Sequence, residues 1–402
     1  MKNGKPGRIA AQVVIQCEVV IRIVQENRYR QMEKRIKILA SIEEVASQRW
    51  NGLAVDAAPT LEFEYLHALE KSGSVAPGSG YTPSHLALQD DSGIIALAPL
   101  YQRDRAWVEF GDGGLLEFLT EITGSPFGSG LVGSIPFTPV PGYDFLVAPG
   151  FDTDDVFTRM LQKIDEISME RGLSTSRFYF VAAQSPLNRI LSNHGYLRLS
   201  SPHLVWFNRG YRSFDDFLLS FKSVRRTKIK REWRSIGEQG IELSMVSGTS
   251  APSSFYHDLY LLYKNTWVRH MGTLIEPFLN EAFFSLLEDN FRQRCSFCVA
   301  QQSGTRVGMA LFYQKAAKLY GRYWGSFREV PFLHFATCYY YPISFAIEHG
   351  IDMIDPGFGG EHKTLRGFEG SYAYHYLKFY DENQRRLAYG VLEQMRNRQS
   401  SK

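Results

Sequence analysis

Apolar and polar positions along this chain repeat with two periods, one suited to strands and one to helices. Between residues 154 and 171, Val156, Met160, Leu161, Ile164 and Ile167 recur every three or four positions, which predicts an amphipathic helix. Similar spacing predicts helices over 62–71, 185–194, 255–270 and 276–289. Short apolar runs bounded by turn residues predict strands at 84–89, 93–102, 177–182, 295–301, 306–314 and 318–324. The run Ile351-Asp352-Met353-Ile354 reads as a short buried strand, and Met32-Glu-Lys-Arg-Ile-Lys-Ile-Leu as the first strand of the fold. Residues 213–240 read as helix with a break near Ser223, where Ser213 with Asp216 caps the first part and Ser223 the second. Residues 333–349 read as an aromatic-rich helix kinked at Pro342. Strands alternating with helices predict a mixed α/β, or α+β, architecture.

A chain of 402 residues favours two domains, or one large one. An internal echo supports that division. The hairpin pattern Ser92-Gly93 … Ala96-Leu97 … Tyr101-Gln102 returns in the second half as Ser303-Gly304 … Ala310-Leu311 … Tyr313-Gln314. The expected division is a poorly ordered extension at 1–37, a first domain at 38–205 and a second at 206–395. Residues 12–24 are apolar, but Glu18 and Arg22 interrupt them and no small-residue cleavage site follows, which makes a poor secretory leader. Removing residues 1–31 is therefore expected to leave folding intact.

Composition narrows the function classes. The net charge of +3 is too small for wholesale nucleic-acid binding, so attraction to phosphate must come from a local cluster. No run approaches the ~18 apolar residues of a spanning helix. The cysteines are Cys17, Cys295, Cys298 and Cys338. Cys295 and Cys298 have C-x-x-C spacing, but on a strand they point to opposite faces, and no second pair completes a zinc site. Free thiols suit a cytoplasmic protein. No metal-ligand spacing, Ser/His/Asp order or Walker-type loop stands out, and no metal is expected.

Three clusters carry candidate chemistry. Asp355-Pro-Gly-Phe-Gly-Gly-Glu-His-Lys-Thr-Leu-Arg-Gly-Phe368 follows a strand and sets ionisable groups among glycines that permit close approach by a ligand. Here Lys363 and Arg366 are candidate stabilisers of an oxyanion or phosphate, and Glu361 and His362 candidate bases. The plainer alternative is a salt-bridged turn in which Glu361 pairs with Arg366. Lys363, flanked by glycines, is expected to have no packing role. In the second cluster, strand alternation puts Tyr320, Arg322 and Trp324 on one face and Tyr323 on the other. Arg322 needs a charged partner among its apolar neighbours, and His334 opens the next helix, where anions are welcome. The third is the basic run from Lys222 to Arg234, where Arg225 and Arg226 begin a helix and form either a phosphate site or a solvated face. The turn Pro136-Phe-Thr-Pro-Val-Pro-Gly142 reads first as a rigid connector, and alternatively as the border of a cleft with Thr138 available for a hydrogen bond.

Leu319-Tyr-Gly-Arg-Tyr-Trp-Gly325, Leu333-His-Phe … Cys338-Tyr-Tyr … Ala346-Ile-Glu-His-Gly350 and Gly360-Glu-His-Lys … Arg366-Gly-Phe368 resemble a FemAB-like, or peptidoglycan-biosynthesis-like, family. That family lies within the GNAT acyltransferase superfamily, and the resemblance extends over nearly all of residues 38–382. It implies two tandem GNAT-like acyltransferase folds, as in ligases that move an amino acid from aminoacyl-tRNA onto an amine of a peptidoglycan precursor. It also places Lys363 where those ligases carry a functional lysine. Two positions depart from the family pattern: Ala336 stands where an acidic residue is usual, and Gly359 where Gln is usual. The pyrophosphate-binding loop of acetyl-CoA enzymes is not found either, which favours aminoacyl-tRNA over acyl-CoA as donor.

The expectation is an acyl- or aminoacyl-transferase that forms an amide on a small-molecule or peptide amine, with no permanently bound cofactor. Charged tRNA is a candidate partner. Glu361, His362 and Lys363 are the candidate catalytic residues, and Arg322, Trp324, His334, Arg366, Arg225 and Arg226 the candidate substrate-binding residues. The alternative, prompted by Ala336 and Gly359, is a non-catalytic protein of the same fold that binds a phosphorylated or cell-wall-related ligand.

Overall fold

The computed structural model describes residues 34–104, 114–124 and 127–400, without the side chains of Glu361 and residues 395–400. Residues 1–33 of the expected extension, and Cys17 with them, lie outside the described residues.

In the first half the strands are β1 (Arg35–Leu39), β2 (Tyr81–Pro83), β3 (His85–Asp90), β4 (Gly93–Ala98), β5 (Tyr101–Arg103), β6 (Gly130–Gly133), β7 (Leu146–Val147), β8 (Thr175–Val181) and β9 (Leu197–Phe207). In the second they are β10 (Ile241–Ser247), β11 (Cys295–Gln302), β12 (Thr305–Lys315), β13 (Lys318–Ser326), β14 (Met353–Asp355) and β15 (Glu369–Phe379). The helices that frame the site are α1 (Leu115–Thr123), α2 (Thr153–Glu170), α3 (Phe214–Leu219), α4 (Ser223–Glu238), α5 (Ser253–Met271), α6 (Glu281–Phe291) and α7 (Tyr341–Glu348). One sheet runs β1-β3-β4-β7, and an eleven-stranded sheet runs β10-β11-β12-β13-β14-β9-β15-β8-β6-β5-β2.

Both halves place antiparallel strands before one parallel pair, β6 with β8 and β13 with β14. This is a tandem GNAT-like architecture. The echoing hairpins are β3–β4 and β11–β12. They differ because Pro99 interrupts the first half: β4 ends at Ala98 and β5 resumes at Tyr101 in the other sheet, whereas β12 runs unbroken. A proline cannot donate to a central ladder, so the sheet divides there.

The expected boundary at 205/206 falls inside β9. This strand pairs with β15 from Leu197 to Val205 and with β14 at Trp206 and Phe207, while β15 in turn pairs with β8. Each half is thus completed by strands from across the chain, and hydrophobic periodicity does not reveal strand exchange. The main core also joins the halves, with Tyr65 packed against Phe283, Phe291 and Tyr313.

Several local expectations are met. Residues of α2 bury Val156, Met160, Leu161, Ile164 and Ile167, and Asp152 caps the helix by accepting from the N–H groups of Asp154 and Asp155. Cys295 faces the main core and Cys298 the second one, on opposite sides of β11. Other expectations need correction. Lys222, not Ser223, occupies the N-cap of α4 and gives no side-chain bond. The helix expected to start at 276 begins at Glu281, where the Asn280 side chain accepts from the Phe283 N–H at 3.1 Å. At 333–349 the helix passes through a π-helical turn, Ala336–Tyr340, just before Pro342. Pro342 has no N–H for the carbonyl four residues back, at Cys338, so the turn widens there.

Candidate active site

The parallel strands β13 and β14 pair only from Lys318–Met353 to Tyr320–Asp355, and beyond that point they part. A bulge lies opposite Leu311: Ala310 pairs with Trp324 and Phe312 with Gly321, which leaves Arg322 and Tyr323 facing that single residue. The bulge overturns simple alternation. Tyr320 and Tyr323 pack on the main core, while Trp324 turns to the opposite side with Ala310. Between the diverging strands lies a cavity of about 70 Å³, lined by Arg322, Trp324, His334, Cys338, Tyr339 and Pro356 among others. The structure therefore brings Arg322, Trp324 and His334 together.

Arg322 is half-buried. Its Nη2 donates to the Phe137 carbonyl at 2.8 Å, and its buried Nε meets no acceptor. An unsatisfied buried N–H is costly unless a ligand meets it. His334 is also half-buried, with its ring 4.7 Å from that of Trp324 and 5.2 Å from that of Tyr339. Burial, together with the nearby His362, Lys363 and Arg366, pushes its pKa down to about 4. At neutral pH this imidazole is uncharged and keeps a lone pair.

Residues 361–366 form a tight helical turn between Gly360 and Gly367, both with positive φ. A Cβ on Gly360 would come within 2.9 Å of the His362 ring and 3.2 Å of the Lys363 chain, so glycine lets both side chains fold back. Lys363 is only 3% exposed. Its Nζ donates to the Gly357 carbonyl at 2.7 Å, and burial pulls its pKa down to about 8 against the opposing pull of Asp355 and Cys338. This corrects the expectation of a loop lysine without a packing role. Lys363 does not line the cavity, but its charge is felt at Cys338, which does. Asp355 holds the base of the turn by accepting from the Gly357 N–H, and it pairs with His203 at 2.9 Å.

Arg366 is 5% exposed, and all three of its nitrogens donate to protein: to Tyr340 Oη, the His362 carbonyl and Glu232, each at 3.0 Å. Its guanidinium lies 3.4 Å above the Phe335 ring. It is a clamp, and substrate contact would require breaking it. Among the described residues the acidic partner of Arg366 is Glu232; the Glu361 side chain lies outside them. Sequence reasoning missed Glu232, although the lone acid of the basic run sits in register with the apolar stripe Ile229 and Ile236. His362 shares a 3.0 Å hydrogen bond with the Tyr339 hydroxyl, and burial beside Arg366 and Lys363 lowers its pKa. Arg225 and Arg226 are half-buried on the first turn of α4 and do not line the cavity. Ala336 is buried in an apolar cluster with Ile236, Val307 and Leu333 and does not line the cavity.

A larger cleft, about 1010 Å³, lies beyond Phe137 and was not foreseen beyond the placement of the proline-rich turn at a cleft edge. Tyr81, Phe137 and Phe278 line it, with Arg103 above the Tyr81 ring at 3.6 Å. Asp104, Glu117, Glu121 and Glu276 stand around it and form no salt bridge among the described residues. Phe137 has φ +56°, a left-handed conformation that costs on the order of 1–3 kcal/mol in a bulky residue. One residue thus separates the two spaces: the Phe137 ring lines the cleft, and its carbonyl holds Arg322 at the cavity. Thr138 faces inward and bonds the Tyr65 hydroxyl at 2.9 Å. No cluster of potential metal ligands occurs among the described residues, and none of their helices is long and apolar enough to cross a membrane.

The model of the FemAB-like family, described as peptidoglycan biosynthesis/recognition, matches residues 41–402. No curated protein matches the chain. Among solved structures, FemX superposes with a TM-score of 0.53 at 11% identity, over 89% of this chain and 99% of that one. A conserved protein of unknown function from Bacteroides thetaiotaomicron gives 0.50 at 10% identity, over 85% and 99%. The C-terminal domain of a lysylphosphatidylglycerol synthetase from Agrobacterium fabrum, itself named only provisionally, gives 0.49 at 11% identity, over 88% and 96%. At such identities the likeness is one of fold.

Proposed function

The chain belongs to the FemAB-like family, and from that premise we propose that it transfers an acyl or aminoacyl group from an activated ester or thioester onto an amine, forming an amide. The observation that carries this reading is the half-buried Arg322 guanidinium, anchored on one side and unsatisfied at its buried Nε, beside an uncharged imidazole at a small, partly open cavity. Acyl transfer needs a group to take the proton of the attacking amine and a cation to meet the tetrahedral oxyanion. In this reading His334 accepts that proton, Arg322 meets the oxyanion, and the buried charge of Lys363 supports it. The carbonyl then reforms as the donor's oxygen or sulfur leaves, and His334 returns its proton to that leaving atom.

The acidic rim and aromatic lining of the larger cleft suit an acceptor that arrives as an ammonium ion and gives one proton to solvent before it attacks as the neutral amine. FemX lends its fold to the comparison. The absence of a pyrophosphate-binding loop supports an aminoacyl-tRNA donor over acyl-CoA.

Incubating the pure protein with charged tRNA or acyl-CoA and a panel of amines, with product read by mass spectrometry, tests the reading. Amide should form with one donor class, and Arg322→Met should lower turnover by roughly 10²–10³, the scale of losing one oxyanion donor. Tight binding of an acceptor without consumption of any donor would favour the non-catalytic alternative.

A further inference from the structure

The corner between α3 and α4 carries two of the most exposed aliphatic side chains among the described residues. Leu219 is 66% exposed at the end of α3, and Val224 is 84% exposed on the first turn of α4. Lys222 lies exposed between them. Along α4, Val224, Lys228 and Arg231 fall at i, i+4 and i+7, so they share one exposed stripe.

The local acids do not neutralise this face. Asp215 pairs with Lys230, Asp216 with Arg212, and Glu232 turns inward to Arg366. Lys222, Arg225, Arg226, Lys228 and Arg231 form no salt bridge or side-chain hydrogen bond among the described residues. The corner also abuts the site. A Cβ on Gly367, which ends the turn at 361–366, would lie 2.7 Å from the Phe217 ring and 3.0 Å from that of Phe221. Leu365 on that turn is 44% exposed.

We propose that the α3–α4 corner docks on an anionic lipid bilayer, with Leu219 and Val224 entering the headgroup boundary and the surrounding cations meeting lipid phosphates. Exposed aliphatics among unneutralised cations are the composition of an interfacial contact. A nucleic-acid backbone would use the cations but leave the aliphatics without a role, which decides between the two polyanions. Docking here brings the 361–366 turn next to the membrane surface, and it does not depend on the reaction proposed above.

The test is co-sedimentation of the full chain with phosphatidylcholine vesicles containing or lacking phosphatidylglycerol. The protein should pellet with the phosphatidylglycerol vesicles only, and added salt should release it. The Leu219→Ser/Val224→Ser double variant should bind about tenfold more weakly, as expected when buried aliphatic carbons are lost at an interface. Lys222→Glu/Lys228→Glu should abolish pelleting. All four side chains are exposed, so circular dichroism melts of these variants should match the wild type. Equal pelleting with neutral vesicles, no pelleting at all, or undiminished binding by the serine variant would overturn the proposal. So would salt-sensitive binding confined to RNA.

Discussion

Lys363 joins a buried ammonium to a single backbone carbonyl, and that pairing sets the result of removing it. Lys363→Ala leaves the Gly357 carbonyl without its partner and should lower stability by about 1–3 kcal/mol. Activity should fall with it, through loss of a nearby positive charge. Lys363→Arg should recover only part of either, because a planar fork does not fit the site of a compact ammonium. Urea unfolding alongside a turnover assay checks both arms. His334 and His375 supply a second residue-scale prediction. Burial holds each near a pKa of about 4, and His375 is fixed by the Phe180 N–H and Ser201. Between about pH 6.5 and 4 the unfolded chain takes up protons at these two rings while the folded protein does not. Stability therefore falls as the pH drops through that interval, by about 1.4 kcal/mol per unit for each ring. Melting curves at pH 7 and pH 5 should show the loss, and a flat profile would contradict it.

At the scale of elements, the turn at 361–366 is held against α4 and the π-helical segment by the Glu232–Arg366–Tyr340 contact. Glu232→Ala strands a buried guanidinium and should cost roughly 3–5 kcal/mol. The double variant Glu232→Ala/Arg366→Met should be less damaging than the sum of its singles, because the stranded charge goes with its partner. A double-mutant cycle by chemical denaturation measures that coupling, and strict additivity would show that the two groups do not act as a unit. The π-helical turn has the same logic of position. By widening the helix before Pro342 it places Tyr339 and Tyr340 against His362 and Arg366.

Over the whole molecule, the exchange of β9 and β15 makes the halves interdependent. β14 needs β9 for its second neighbour, and β8 needs β15. Neither residues 34–208 nor residues 209–402 should therefore fold cooperatively alone, whereas the full chain should unfold in a single transition. Circular dichroism melts of the two fragments and of the intact protein check this. Independent, reversible folding of either fragment would show that its own core suffices.

Much was legible without coordinates, because local order and burial leave periodic marks. The stripe of α2, the cap at Ser213, the opposed faces of Cys295 and Cys298, and the repeated hairpin all follow from side-chain spacing alone. Strand alternation grouped Arg322 with Trp324 but put Tyr320 beside them, and the bulge sends that ring to the main core instead. Tertiary structure alone decided what each charged group is used for. Arg366 and Lys363 look alike in sequence as cations between glycines, yet one is fully engaged as a clamp and the other is a buried ammonium with one acceptor. Glu232 becomes a partner only because α4 folds over a turn more than a hundred residues away. The bulge at Arg322–Tyr323 and the strand exchange likewise depend on pairing between distant segments. Short-range pattern cannot encode such pairing, because its energy arises only when both partners leave water together.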